Sequence, residues 1–277
     1  MSYFFSAFKK KYYLFFNELK RPFLPNNFDT STILINSIPK SGTHLLSQIV
    51  ECIPGLENRQ LFIASRPTLS YKNRSSKKII RLLSKAKKNE LIIGHIEYNK
   101  IIQNLIKKNN IVQILLIRDP RDVVISESYY LTYMNKFHRL HKFFKKLTTD
   151  EERINLAING FRQNINQTID FPSIDNRYDF YIKWAENNTY VVRYEDLIGK
   201  SKKQTIVNLL KYIKLKGNYK FEIKSQIINS LESISPTSSH TFRQGKKNEW
   251  MNILFDYQKK WFQKKMKIFL KNYGYKK

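Results

Sequence analysis

Thr32-Ile33-Leu34-Ile35-Asn36-Ser37-Ile38-Pro39-Lys40-Ser41-Gly42-Thr43-His44-Leu45-Leu46 decides how the rest of the chain is read. Its first part is a β-branched apolar run without polar alternation, the pattern of a strand buried on both faces. Pro39 lacks a ladder donor and ends the strand. Gly42 permits a tight turn and a close approach of backbone to a ligand. Thr43 suits an N-cap, and Leu45, Ile49 and Cys52 have the spacing of a helix that Pro54-Gly55 stops. A buried strand, a small-residue turn and a helix N-terminus aim free backbone N–H groups and a positive dipole end at one point. With Lys40 at the lip, the implied ligand is a phosphate or sulfate group; the plainer alternative is an ordinary βα turn with a surface lysine. It is not a Walker A loop: Gly199-Lys200-Ser201 has Tyr194 where the first glycine of that motif belongs.

Working outward, the 277 residues suit one large domain or two small ones. The net charge of +28 attracts anions, whether nucleotides, acidic glycans or an anionic membrane. No nucleic-acid-binding signature accompanies it, and heavy use of Lys, Ile and Asn is consistent with biased gene composition, so no nucleic-acid partner is assigned. Cys52 is the single cysteine, which leaves no intrachain disulfide and no thiolate metal cluster. No apolar run reaches the length of a membrane span.

Residues 1–28 form a basic aromatic segment, with Phe4, Phe8, Tyr12, Phe15 and Leu19 at helical spacing among Lys9, Lys10, Lys11 and Lys20. Docking on the domain is the simpler use of that stripe, and peripheral contact with a membrane is the other. Nothing in it resembles a signal peptide, so the chain is expected in the cytoplasm or at the edge of a membrane. The expected domain is 29–277. Residues 56–90 read as a polar connection with weak helical patterning at Ile79, Ile80, Leu82 and Leu83. Leu91 to His95, Ile111 to Ile117 and Thr189 to Tyr194 read as further buried strands. Helices are expected at 99–110, from Asp119 (N-cap) and Pro120 (first turn) to Tyr133, and at 151–169, 176–187, 202–213, 220–233 and 255–273. Residues 134–150 read as a loop or mobile helical segment and 235–249 as a polar loop, with His138 and His141 as solvated side chains. Alternating strands and helices predict an α/β fold, a parallel sheet covered on both faces.

Ligands of such sheets bind beyond the carboxyl ends of the strands. Three strand ends carry suitable groups: the turn Lys40-Ser41-Gly42-Thr43, then His95, then Arg118, with Ser126 two turns into the helix after it. They offer a phosphate cradle, a base and a bidentate guanidinium.

On these residues the chain resembles the sulfotransferases that use 3′-phosphoadenosine 5′-phosphosulfate (PAPS). Pro39-Lys40-Ser41-Gly42-Thr43 resembles their 5′-phosphosulfate loop, and Arg118 to Ser126, with arginine and serine eight apart, their 3′-phosphate motif. Arg193-Tyr194-Glu195-Asp196-Leu197 is similar to a segment whose tyrosine lies near the adenine. Phe242-Arg243-Gln244-Gly245 followed by Glu249-Trp250 is similar to the late loop over the 3′-phosphate. The resemblance implies a single P-loop-like domain with about five parallel strands. It implies sulfuryl transfer from PAPS to an acceptor hydroxyl or amine, with 3′-phosphoadenosine 5′-phosphate (PAP) as product and no metal. His95 would be the base and Lys40 would neutralise charge on the leaving phosphate. The backbone of Ser41, Gly42, Thr43 and His44 would hold the 5′-phosphate. Arg118, Ser126 and Arg243, with Gln244 and Gly245 beside it, would hold the 3′-phosphate, and Tyr194 would lie by the base.

Ile93, Leu45 and Gln244 stand where many cytosolic members carry lysine, tryptophan and lysine, and no dimer motif follows Trp250, so no oligomeric state is carried over. The acceptor, whether glycan, lipid headgroup or small alcohol or phenol, is left to the loops 56–90 and 134–175. Two other readings stay open here: a nucleotide-kinase-like phosphotransferase, and a non-catalytic basic protein binding acidic glycan or a membrane surface.

Overall fold

The computed structural model describes residues 29–164, 168–186, 189–235 and 245–275. The expectations for residues 1–28, and for Arg243 and Gln244, lie outside the described residues.

The core is a five-stranded parallel sheet in the order β2-β3-β1-β4-β7. β1 (Ile33–Ser37) is central, between β3 (Glu90–His95) and β4 (Val112–Ile117); β2 (Glu57–Ala64) and β7 (Tyr190–Arg193) are the edges. Every residue of β1 and β4 is buried, because successive side chains feed two different cores. Leu34, Ile92 and Leu115 face one side, against the helices α2 (Ser76–Leu83), α3 (Lys100–Lys108) and α4 (Pro120–Tyr129). Ile33, Ile35, Ile114 and Leu116 face the other, against α1 (Thr43–Glu51) and the helices Lys202–Gly217 and Ile223–Glu232.

Four expectations need correction. The stretch 56–90 contains β2, an edge strand that begins on polar residues and breaks register between Asn58 and Leu61, with Gln60 at φ 56°. Neither the alternating nor the all-apolar pattern survives such a break. The helix expected over 151–169 ends at Asn159. Gly160, at φ 65°, turns the chain into an antiparallel hairpin, β5 (Phe161–Asn164) with β6 (Thr168–Phe171). A Cβ on Gly160 would meet the Phe171 carbonyl at 2.1 Å, so the hairpin depends on its absence. The final helix is two helices, Asp256–Lys265 and Lys267–Asn272, broken at Met266. His138 and His141 are half-buried fasteners rather than solvated groups. The Leu140 N–H donates to His138 Nδ1 (3.1 Å), and His141 Nδ1 meets the Leu131 carbonyl (2.7 Å). The His141 bond ties the π-helical turn Tyr130–Met134 to the short helix His141–Lys145, within the stretch read as a loop or mobile helical segment.

Candidate functional site

β1 ends in a turn with two left-handed residues, Lys40 at φ 66° and Gly42 at φ 92°. The lysine conformation was not legible, since only glycine, asparagine and aspartate adopt it readily. Gly42 is the residue that caps α1, and Thr43 is its first helical residue, which corrects the expected N-cap. The Thr43 hydroxyl instead bonds Ser37 Oγ at 2.8 Å, stapling the turn to the strand it leaves. At the start of α1 the Leu45 and Leu46 N–H groups already bond the Gly42 carbonyl, while those of Thr43 and His44 precede any intrahelical acceptor. The buried Ser41 hydroxyl finds no partner among the described residues. Gly42 is also a packing requirement: a Cβ there would lie 2.5 Å from the Tyr194 ring.

His95 ends β3 beside this turn. Gly94 lets β2 approach, since a Cβ there would stand 2.6 Å from the Ile63 carbonyl. Asn36, opposite Gly94 in β1, clasps the residue after His95: its amide donates to the Ile96 carbonyl (2.9 Å) and its oxygen accepts from the Ile96 N–H (2.8 Å). His95 Nδ1 lies 2.7 Å from the Ser37 carbonyl and 3.1 Å from its hydroxyl. A carbonyl only accepts, so Nδ1 carries the proton and Nε2 carries the lone pair. Burial pushes the imidazole pKa down to about 4, with the Ser37 carbonyl opposing and nearby His44 and Lys40 reinforcing. The ring is therefore neutral at pH 7 and able to accept a proton at Nε2. The edge of the half-exposed Phe62 ring meets it, 5.1 Å between centroids.

Lys40, half-buried, sets its ammonium over the Tyr130 ring at 3.8 Å from the centroid, and Asn135 holds the Tyr130 hydroxyl at 2.6 Å. Tyr130 opens the π-helical turn, and such turns often mark functional sites. Nothing in the sequence singled it out.

Arg118 follows β4 and is buried. Its guanidinium donates to the Lys40 carbonyl (3.2 Å) and the Lys246 carbonyl (3.1 Å), and stands 4.5 Å from the Tyr194 ring centre. Its Nε has no partner among the described residues. Asp119 caps α4 from one carboxylate oxygen and binds Arg121 through both, while Arg121 lies on the Trp250 ring at 3.6 Å. Asp122 accepts the N–H groups of Asn248 (2.7 Å) and Trp250 (3.0 Å), so it pins the segment entered from Gly245 onto the sheet edge. Burial raises the Asp122 pKa, with Arg118 pulling it back. Ser126 is buried in α4.

Ser37, His95, Lys40, Gly42, Arg118 and Tyr194 thus form one bonded or packed group at the carboxyl edge of the sheet. Gly245, at φ 65°, lies one residue from Lys246, whose carbonyl Arg118 holds. Among the described residues no three His, Cys, Asp or Glu side chains are placed to share a metal ion.

The fold and this site define a nucleotide-phosphate-binding α/β domain of the group-transfer kind. The sulfotransferase domain family matches residues 30–274, and the chain belongs to that family. It is accordingly a sulfotransferase, an enzyme of the class that draws its sulfuryl group from PAPS. No curated protein sequence matches the chain. Among solved structures it is similar to mouse sulfotransferase SULT7A1 complexed with PAP (18% identity, TM-score 0.58, covering 84% of this chain and 82% of that one). It is also similar to retinol dehydratase with androsterone and PAP (14% identity, TM-score 0.57, 90% and 82% covered) and with retinol and PAP (15%, 0.57, 90% and 82%). At these identities the likeness is one of fold, and the five-stranded parallel sheet expected from the sequence is present. The kinase-like and non-catalytic readings give way to family membership.

Proposed function

We propose that this protein moves the sulfuryl group of PAPS to the hydroxyl of a small acceptor with an apolar body, with His95 as the general base. The observation that carries the reading is the bonding of His95 Nδ1 to the Ser37 carbonyl, whose own hydroxyl holds Thr43 of the phosphate turn. One residue thereby fixes both the base and the anion cradle, and leaves Nε2 as the nitrogen for the acceptor proton.

The residues present fit PAPS. The turn Lys40 to His44 supplies N–H groups and a dipole end for the 5′-phosphate. Arg118, bonded to the Lys40 carbonyl of the turn and with Nε unspent, suits the 3′-phosphate, with Ser126 of α4 as a further hydroxyl. Tyr194 supports this arrangement from below, through its contacts with Gly42 and Arg118. Negative charge grows on the leaving phosphate during transfer, and Lys40 is positioned to meet it from its seat on Tyr130. At the same time the acceptor hydroxyl loses its proton to His95 Nε2, and the sulfuryl group passes to that oxygen.

One neighbour in fold, retinol dehydratase, holds androsterone in one structure and retinol in another, both small hydroxylated apolar molecules, and here Phe62 presents an exposed ring beside His95. Both favour a small apolar alcohol or phenol over a glycan or a lipid headgroup. A transfer assay with sulfur-labelled PAPS tests this directly, with sterol-like alcohols, phenols, oligosaccharides and lipid headgroups as acceptors. Label in the alcohols or phenols, abolished in His95→Asn, is the expected result. Label only in oligosaccharides or headgroups overturns the acceptor class, and transfer undiminished in His95→Asn overturns the base.

A further inference from the structure

The opposite edge of the sheet carries a feature that the transfer reaction does not use. Three turns lead into the amino ends of β3, β4 and the neighbouring helix Ile223–Glu232, and each is lysine-rich: Lys87-Lys88-Asn89, Lys107-Lys108-Asn109-Asn110 and Lys214-Leu215-Lys216-Gly217-Asn218. All six lysines are exposed, and Leu215 is 81% exposed between two of them. Asn89, Asn110 and Asn218 all take left-handed backbone, so each turn is tightly closed.

Residues 29–32 gather these turns into one face. The Asn89 N–H donates to the Thr30 carbonyl (3.2 Å), and the Asn110 amide donates to the Ser31 hydroxyl (3.2 Å). The Ser31 N–H reaches the Gly217 carbonyl (2.9 Å), and the Asn218 amide the Asp29 carbonyl (3.2 Å). The carboxylates here are already engaged. Asp29 pairs with Lys88 at 3.2 Å, and buried Glu90 pairs with Arg59 and accepts from the Lys87 N–H. The face therefore carries a surplus of positive charge on rigid turns around an exposed leucine.

We propose that this edge docks on an anionic lipid bilayer. Charge complementarity is the first argument: each lysine held near such a surface strengthens binding, and several together act jointly. The second is the course of the chain. Residues 1–28 enter the domain at Asp29, in the middle of this face. Their sequence interleaves Phe4, Phe8, Tyr12, Phe15 and Leu19 with lysines, the composition of interfacial segments. An exposed leucine among lysines matches a bilayer, which offers both headgroup charge and acyl chains, better than a polyanion, which offers charge alone. Strands of five or six residues place the catalytic edge roughly 17–20 Å away from this face, so a docked enzyme keeps its site open to solution.

Co-sedimentation of the full chain with phosphatidylcholine vesicles, with and without phosphatidylserine, tests the proposal without relying on catalysis. We expect binding only with phosphatidylserine, weakened by added salt. The variant Lys107→Glu/Lys108→Glu/Lys214→Glu/Lys216→Glu should lose about a hundredfold or more in partitioning. The control Lys260→Glu/Lys264→Glu/Lys265→Glu/Lys267→Glu makes the same change of net charge in the last two helices and should keep most of it. Far-ultraviolet circular dichroism checks that both fold. Equal losses in the two variants, no loss in the first, equal binding to neutral vesicles, or tighter binding to DNA or a sulfated polysaccharide than to the anionic vesicles would each overturn it.

Discussion

The two edges of the central sheet are built from similar ingredients and behave differently. At the amino edge, asparagine turns present lysines to solvent, each side chain nearly independent of the next. At the carboxyl edge the charged groups are half-buried or buried and fastened to one another: Ser37 to His95 and Thr43, Arg118 to Lys40 and Lys246, Asp122 to Asn248 and Trp250. Charge at the first edge acts as a screened sum, whereas at the second it is desolvated, directed and coupled. The lesson is that the count of basic residues, high throughout this chain, does not find the site; interlocking does.

Substitutions at the two edges should separate along this line. The largest effect is expected for His95→Asn, which keeps a hydrogen-bonding side chain but offers no base. Sulfuryl transfer should fall by roughly a hundredfold or more while PAP affinity, read by calorimetry, stays near normal. Near-normal turnover in a folded, PAP-binding His95→Asn would place the base elsewhere.

Lys40→Ala and Arg118→Ala come next and should fail differently. In the proposed mechanism Lys40 meets charge that develops during transfer, so its loss should lower kcat. Arg118 is proposed to meet a phosphate that does not react, so its loss should raise the KM for PAPS by about ten- to a hundredfold. Because Arg118 also ties the Lys40 and Lys246 carbonyls together, its loss should lower the melting temperature as well. Equal effects of both substitutions on kcat alone would dissolve the division of roles.

Gly42→Ala tests the interlocking itself. Left-handed backbone and the Tyr194 ring oppose a Cβ together, so destabilisation of about 1–3 kcal/mol in urea unfolding is expected, with weakened PAP binding. An unchanged midpoint would show that the turn adapts.

The pH profile is a subtler test. His95 must be neutral to act, and its pKa lies at about 4 in the folded protein against 6.5 ordinarily. The kcat/KM profile should stay level from neutral pH to about 5 and fall as pH approaches 4. Between 4 and 6.5 the unfolded chain binds the extra proton, so stability should rise with pH across that window, and less steeply in His95→Asn. A rate limb centred near 6.5 would contradict the burial that sets this value. The smallest effect is expected at the other edge: Lys107→Ala should change neither PAP affinity nor, beyond about 0.5 kcal/mol, stability.

Much of this was legible in the chain. The apolar runs opening at Thr32 and spanning Ile111 to Ile117 read as doubly buried strands, as β1 and β4 are, and Asp119-Pro120 marks a helix start because the side chain caps and the ring needs no donor. Where local pattern and tertiary role diverged, the reading failed. β2 is half polar and bulged, yet it pairs with β3 because its backbone does, and Gly160 ends a helix whose apolar spacing runs on. Tyr130 had no motif signal, and Ser37 and Asp122, though inside quoted motifs, were passed over because their partners His95, Asn248 and Trp250 lie far along the chain.

The sequence by itself determined the α/β class, the family and the order of the motifs, because these rest on side-chain spacing along a strand or one helical turn. Only the tertiary structure decided that Ser37 selects the proton position on His95, that Tyr130 seats Lys40, that Tyr194 requires a glycine at 42, and that the lysine turns share the edge opposite the site. Those relations join residues tens of positions apart. They follow from which strands lie side by side, and so from the packing of the whole sheet rather than from any local stretch.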